Sequence, residues 1–129
     1  MSPEEIVPGS PADWLRFAVS DLELARRGRS PEVMLEILCF HAQQAAEKAL
    51  KALIISTGLE VPRTHNIKTL LDIIADHASI PETLTAASLL TDYSVSSRYP
   101  GISEPVTDAE YDMAIHLAQM VIAWVRDEL

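Results

Sequence analysis

The segment FHAQQAAEKALKALI, residues 40–54, constrains the fold of this chain more than any other feature. It contains no proline or glycine, and its alanines and leucines recur at helical spacing. At about 100° per residue, apolar side chains point in nearly every direction around this helix. Such a pattern is typical of a helix at the centre of a helical bundle. The small alanine side chains would also let neighbouring helices approach closely.

Start and stop signals divide the rest of the chain into further helices. A Ser-Pro pair at residues 10–11 and another at residues 30–31 each join a capping hydroxyl to a proline suited to the first helical position. Glycines at 28 and 58 follow the two apolar stretches and predict where these helices end. We therefore predict a first helix from residue 11 to Gly28 and a second from residue 31 to about Thr57.

Three more helices are predicted after Gly58. One carries the apolar residues of 67–74, and another begins after Pro81 with Leu84, Ala87, Leu90 and Tyr93 facing inward. Residues 94–106, SVSSRYPGISEPV, are rich in proline and serine and predict a loop. Thr107 with Glu110 three residues later forms a capping box that starts the last helix. The apolar face of that helix is predicted to be Met113, Leu117, Met120, Val121 and Trp124.

No window alternates as a strand would, so we predict an all-α fold, an up-and-down antiparallel bundle of four to five helices. The 129 residues are expected to form one domain, with its core at about residues 11–127. No apolar run is long enough to span a membrane, and the first residues lack the features of a signal peptide. We therefore expect a cytoplasmic location. Cys39 is the single cysteine, and its helical position predicts a small buried apolar side chain.

Charge is distributed unevenly along the chain. The net charge of −9 argues against DNA and against non-specific contact with a nucleic-acid backbone. Residues 40–68 nevertheless contain four basic side chains and only two acidic ones, so this window carries +2 and the remainder −11. An anionic ligand is expected near this window.

Four polar side chains, His41, Gln44, Lys48 and Lys51, form a stripe along one edge of the central helix. One interpretation is that the lysines reach water and pair with carboxylates, while the other two bond to a neighbouring helix. The other is that the stripe presents cations and donors to a phosphate or to a partner protein. Periodicity leaves both open.

The block HAQQAAEKALKAL, followed by PRTHNI and by Ser-Arg98-Tyr99-Pro100, closely resembles the HEPN domain family. The resemblance covers about residues 11–127. It implies a helical bundle that is frequently a homodimer and is often encoded beside a minimal nucleotidyltransferase, with which it can form a toxin–antitoxin-like pair. It also implies binding of a nucleotide or RNA, and some members are metal-independent ribonucleases.

The ribonuclease branch resembles a pattern of arginine, four to six residues, then histidine, which suits proton transfer beside a stabilised phosphate. Each arginine with enough chain after it lacks a histidine at the permitted positions. The absence of this arginine–histidine motif favours a non-enzymatic module over a ribonuclease. His65 and Arg98 are weak catalytic candidates, because both lie at predicted helix boundaries and could meet in space.

The predicted site binds a nucleotide or RNA phosphate. Its residues are His41, Gln44, Lys48, Lys51, Arg98 and Tyr99. Histidine spacing and a single cysteine offer no metal cluster, and we expect neither a metal nor a cofactor. Two alternatives remain open: a metal-independent ribonuclease toxin with a non-standard site, and a purely structural helical adaptor.

Overall fold

A computed structural model describes residues 5–94, 100–101 and 104–129. Within these ranges the chain forms five helices and no strand. They are α1 (Pro11–Arg27), α2 (Leu35–Ser56), α3 (Ile67–Ala75), a 3₁₀ helix (Glu82–Tyr93) and α4 (Asp108–Glu128). The predicted all-α bundle of four to five helices is confirmed.

Helix α2 lies at the centre of the bundle. It contacts all four other helices, and 14 of its 22 residues are buried. Its alanines at 42, 45, 46 and 49 have no exposed surface, which allows α1 and α4 to pack closely against it. The prediction that the alanine-rich segment forms the central helix is therefore confirmed.

Three helix starts were predicted from a capping residue, and two of them are confirmed. Ser10 caps α1 by accepting the Asp13 N–H, and Thr107 and Glu110 form the reciprocal capping box of α4. The predicted start of the second helix was wrong, because α2 begins only at Leu35. Ser30 Oγ instead donates to Glu32 Oε2, and the Ser30 carbonyl accepts from Val33 N in a turn.

Gly28 allows α1 and α2 to meet where α1 ends. A methyl group on this residue would come within 2.8 Å of Leu38 Cδ2 and 2.7 Å of the Leu24 carbonyl oxygen. Glycine is thus required by close approach of the next helix, and the predicted end of the first helix is confirmed. After α2, Gly58 has a φ of 91°, the left-handed conformation that glycine supplies past a helix end.

Three of the residues predicted to face inward in the 3₁₀ helix are buried, whereas one of those predicted in α4 is exposed. Leu84, Ala87 and Leu90 are buried as predicted, but their segment is a 3₁₀ helix, in which every third residue lies on one face. Met113 was predicted to lie on the apolar face of the last helix, and its side chain is 52% exposed. The buried stripe of α4 runs through Ala114, Leu117 and Val121, which turns Met113 outward.

Candidate functional site

Two elements, α1 and α2, hold the first half of the predicted site around one carboxylate. Asp21 Oδ1 lies 3.1 Å from His41 Nδ1, and Asp21 Oδ2 lies 2.6 Å from Lys48 Nζ. All three side chains are partly buried, with Asp21 14% exposed. Because a carboxylate only accepts, His41 carries a hydrogen on Nδ1. Asp21 lies beside the buried residues Ala18 and Ala25 of α1, which directs it toward α2.

A second carboxylate, Glu47, organises the other half. Its oxygens lie 2.9 Å from Lys51 Nζ, 3.0 Å from Gln43 Nε2 and 2.9 Å from His65 Nδ1. The Glu47 side chain is only 5% exposed, whereas His65 is 66% exposed. His65 reaches Glu47 from the segment that precedes α3, and Gln43 also donates to the His65 carbonyl oxygen.

The pKa of Glu47 reflects this environment. Burial raises the pKa, but the hydrogen bonds from Gln43, Lys51 and His65 together outweigh it and hold the pKa below its usual value. Glu47 is therefore ionised near neutral pH and neutralises Lys51.

A chain of hydrogen bonds connects Gln44 to the Glu47 cluster. Gln44 Nε2 donates to Gln43 Oε1 at 2.8 Å, and Gln43 donates to Glu47. We call the surface formed by Asp21, His41, Gln44, Glu47, Lys48, Lys51 and His65 the α1–α2 furrow. It contains two histidine–carboxylate–lysine clusters, so each lysine is paired with a carboxylate and keeps unused N–H donors.

Aromatic rings of α1 border the same lysines. Lys48 Nζ lies 5.9 Å from the centroid of the Phe17 ring, and Lys51 Nζ lies 6.0 Å from the Trp14 ring. Both distances suit a cation–π contact. A groove of about 360 Å³ opens beside them, lined by Gly9, Asp13, Trp14, Phe17 and Lys48.

The structure brings together most, but not all, of the predicted site residues. His41, Gln44, Lys48 and Lys51 share the furrow, and the catalytic candidate His65 joins it through Glu47. Arg98 and Tyr99 lie outside the described residues. Pairing of both lysines with carboxylates matches the first interpretation of the stripe, but Lys51 is buried and does not reach water, and Gln44 bonds to Gln43 of its own helix. The spare donors of the partly exposed Lys48 keep the second interpretation available.

Asp21 and Glu47 were missed from the sequence. Glu47 was recoverable, because it precedes Lys51 by one helical turn, the spacing at which acid and base pair on a helix. Asp21 had only a weak signal, since it borders the apolar stripe of α1, and nothing local shows which residues of α2 it would meet.

Cys39 is the single cysteine of the chain, and its environment decides whether its thiol can act as a nucleophile. The Cys39 side chain is fully buried, and this burial, with the nearby charges of Glu36 and Glu110, raises its pKa to about 12, so it is a poor nucleophile.

In the described ranges, no group of three or more potential ligands is placed to hold a metal ion. No helix within them is long and apolar enough to cross a membrane.

Comparison with known proteins identifies the family. The HEPN domain family matches residues 11–128, so the chain belongs to it. A crystal structure of TT1696 from Thermus thermophilus is similar, with a TM-score of 0.80 and 34% identity over 92% of this chain and 98% of that one. ST0689, described as an archaeal HEPN homologue, gives a TM-score of 0.74 and 32% identity over 92% and 96%. No curated protein matches.

Proposed function

We infer that this HEPN domain binds the phosphate of a nucleotide or RNA at the α1–α2 furrow, forms a homodimer, and acts with a minimal nucleotidyltransferase in a toxin–antitoxin-like pair. The observation that carries phosphate binding is Lys48. Its ammonium group is held by Asp21 through one contact, remains 24% exposed, and has donors left for a phosphate oxygen.

The charge of Asp21 sets the expected strength of binding. A phosphate near Lys48 is repelled by this carboxylate, so affinity is expected to be modest. His41 Nδ1 bonds to the same carboxylate, so Asp21 is shared between His41 and Lys48.

Calorimetric titration with ATP and GTP tests this function. Lys48→Ala should weaken binding about tenfold or more, since a charge-assisted hydrogen bond is lost. Lys68→Ala is the matched control, because Lys68 pairs with Asp72 on the exposed side of α3. No heat at millimolar nucleotide would reject phosphate binding and leave the structural adaptor as the better description.

Homodimerisation has separate support. Leu24 of α1 is 50% exposed, and Met34 and Ile37 near the start of α2 are 62% and 37% exposed. Since Gly28 contacts Leu38, the end of α1 meets the start of α2, and these side chains lie on neighbouring surfaces. A two-fold interface pairs the same patch of both subunits, so a homodimer would bury these exposed apolar side chains against their own copies. Leu24→Asp should yield a monomer in light scattering, while Leu59→Asp, at an exposed loop residue, should not; a monomeric unaltered chain would contradict the proposal.

The nucleotidyltransferase partner is supported by family membership. The DNA that flanks the gene tests it directly. An adjacent reading frame for a small nucleotidyltransferase, whose product co-purifies with this chain on co-expression, is the expected result. A gene without such a neighbour would contradict the pairing.

The environment of His65 supports a second candidate function, that of a metal-independent ribonuclease. A buried carboxylate orients its Nδ1, and the exposed ring could present Nε2 to a substrate proton. RNA incubated with metal-free protein should be cleaved, and His65→Ala should abolish cleavage. His77→Ala, at an exposed histidine of the bundle surface, serves as the control. Cleavage that persists after His65→Ala would point to contamination.

A further inference from the structure

The groove beside Lys48 has the character of a small-ligand site. Its volume of about 360 Å³ lies at the lower end of the range for such sites, about 300–1,000 Å³. The rings of Trp14 and Phe17 line it together with Gly9 and two charged side chains, Asp13 and Lys48. Aromatic and apolar walls with a few polar or charged groups are the usual composition of a small-ligand site.

Phe17 is the more unusual of the two rings. Its side chain is 52% exposed although it is large and apolar, so part of the ring is available to a ligand. Lys48 approaches the same ring at 5.9 Å. Every nucleic-acid base has a face that can stack on such a ring, so the gain depends little on which base it is.

The order of residues along α1 distinguishes the two ends of the groove. Asp13, Phe17 and Asp21 follow one another at intervals of four residues, so they lie along one side of the helix over roughly 12 Å. Lys48 is bonded to Asp21 at the far end, whereas the near end carries the carboxylate of Asp13. The Asp13 carboxylate is paired with Arg16 at 2.7 Å, so the direction rests on Lys48, whose ammonium group favours a phosphate at the far end.

We propose that this groove is a base-binding subsite, in which a nucleobase stacks on Phe17 and Trp14 while the attached phosphate reaches Lys48. The inference rests on the proposed phosphate-binding function and adds the surface that holds the base, whether of a mononucleotide or of one nucleotide in an RNA strand. Nothing in this arrangement reads the identity of the base, so purine and pyrimidine nucleotides should both bind.

Tryptophan fluorescence provides a specific test. The chain has two tryptophans, and Trp124→Phe leaves Trp14 as the sole reporter. Three probes are titrated: AMP, adenosine and inorganic phosphate. AMP and adenosine should quench Trp14 in a saturable manner, and phosphate alone should not. Calorimetry with AMP on the unaltered chain checks that the Trp124 change has no influence.

Variants separate the two parts of the ligand. Phe17→Ala should weaken both AMP and adenosine at least fivefold, which is about the smallest loss expected for one base–aromatic stack. Lys48→Ala should weaken AMP and leave adenosine unchanged. Leu89→Ala, which removes a side chain of similar exposure from the 3₁₀ helix, should alter neither. Circular dichroism confirms that each variant is folded.

The outcomes distinguish this inference from the function on which it rests. If AMP and phosphate bind in a Lys48-dependent manner while Phe17→Ala has no effect and adenosine does not bind, the phosphate site stands and the base subsite is rejected. If no probe binds at millimolar concentration, both are rejected. Adenosine binding that depends on Phe17 supports the base subsite even where the contribution of Lys48 proves small.

Discussion

Glu47 Oε2 lies 2.9 Å from Lys51 Nζ, and both side chains are more than nine-tenths buried. Lys68 and Asp72 on α3 form a pair with the same four-residue spacing, but both are largely exposed. The two pairs differ in burial, and burial decides how much the loss of one partner changes the free energy of unfolding. An isolated buried charge is costly, whereas an exposed one is solvated by water.

The first prediction follows from this contrast. Glu47→Ala should lower the free energy of unfolding by about 3–5 kcal/mol, because it leaves Lys51 buried without a counter-charge. Asp72→Ala should change it by less than about 1 kcal/mol. Urea unfolding followed by circular dichroism measures both. Equal effects of the two changes would mean that the Glu47–Lys51 pair is not buried as described.

The second prediction concerns acid. Because the pKa of Glu47 in the folded protein lies below its usual value of 4.5, the folded state holds this proton less tightly than the unfolded state. The resulting stabilisation is complete above the usual value and is lost as the pH falls through the lowered pKa. Urea midpoints should therefore drop between neutral and acidic pH. The drop should be smaller in Glu47→Gln than in Glu60→Gln, which changes an exposed loop residue; equal drops would contradict the assignment.

The third prediction concerns Cys39. Burial raises its pKa to about 12, and the side chain has no exposed surface. A thiol-specific reagent should react slowly with the native protein and rapidly, at one thiol per chain, after denaturation. Rapid reaction of the native protein at mildly alkaline pH would show that the core around α2 opens readily.

The fourth prediction tests the start of α4. Thr107 Oγ1 accepts from Glu110 N at 3.1 Å, and Glu110 Oε1 accepts from Thr107 N at 3.0 Å. Thr107→Ala should lower the free energy of unfolding by about 1 kcal/mol. Thr69→Ala replaces an exposed threonine inside α3 and should have little effect. A difference between the two variants within experimental error would contradict the capping role.

Local chemistry explains which parts of the fold were predictable. A capping box such as Thr107 with Glu110 needs only residues adjacent in sequence, so it can be identified without the tertiary structure. The alanine-rich segment was likewise recognisable because its apolar residues surround the whole helix. Ser30 shows the limit of such signals. Its side chain bonds to Glu32 instead of a helix start, since the turn that carries α1 into α2 occupies residues 30–33.

The site was predictable only along a single helix. The spacing of His41, Gln44, Lys48 and Lys51 placed them on one edge of α2, where the structure has them. Asp21, the partner of His41 and Lys48, lies 20 residues before His41, and its position depends on how α1 packs across α2. A sequence pattern carries the periodicity of each helix but not the rotation of one helix against another, and that rotation decides whether a lysine meets a carboxylate.

The most direct measurement of the central proposal is nuclear magnetic resonance mapping of ATP binding on the assigned amides of this 14.2 kDa chain. Binding at the α1–α2 furrow predicts progressive shifts at residues around Trp14, Asp21 and Lys48 and in the side-chain amide of Gln44, all diminished by Lys48→Ala. An unchanged spectrum at millimolar ATP, or shifts confined to the outer face of α4 around Asp112 and His116, would contradict it.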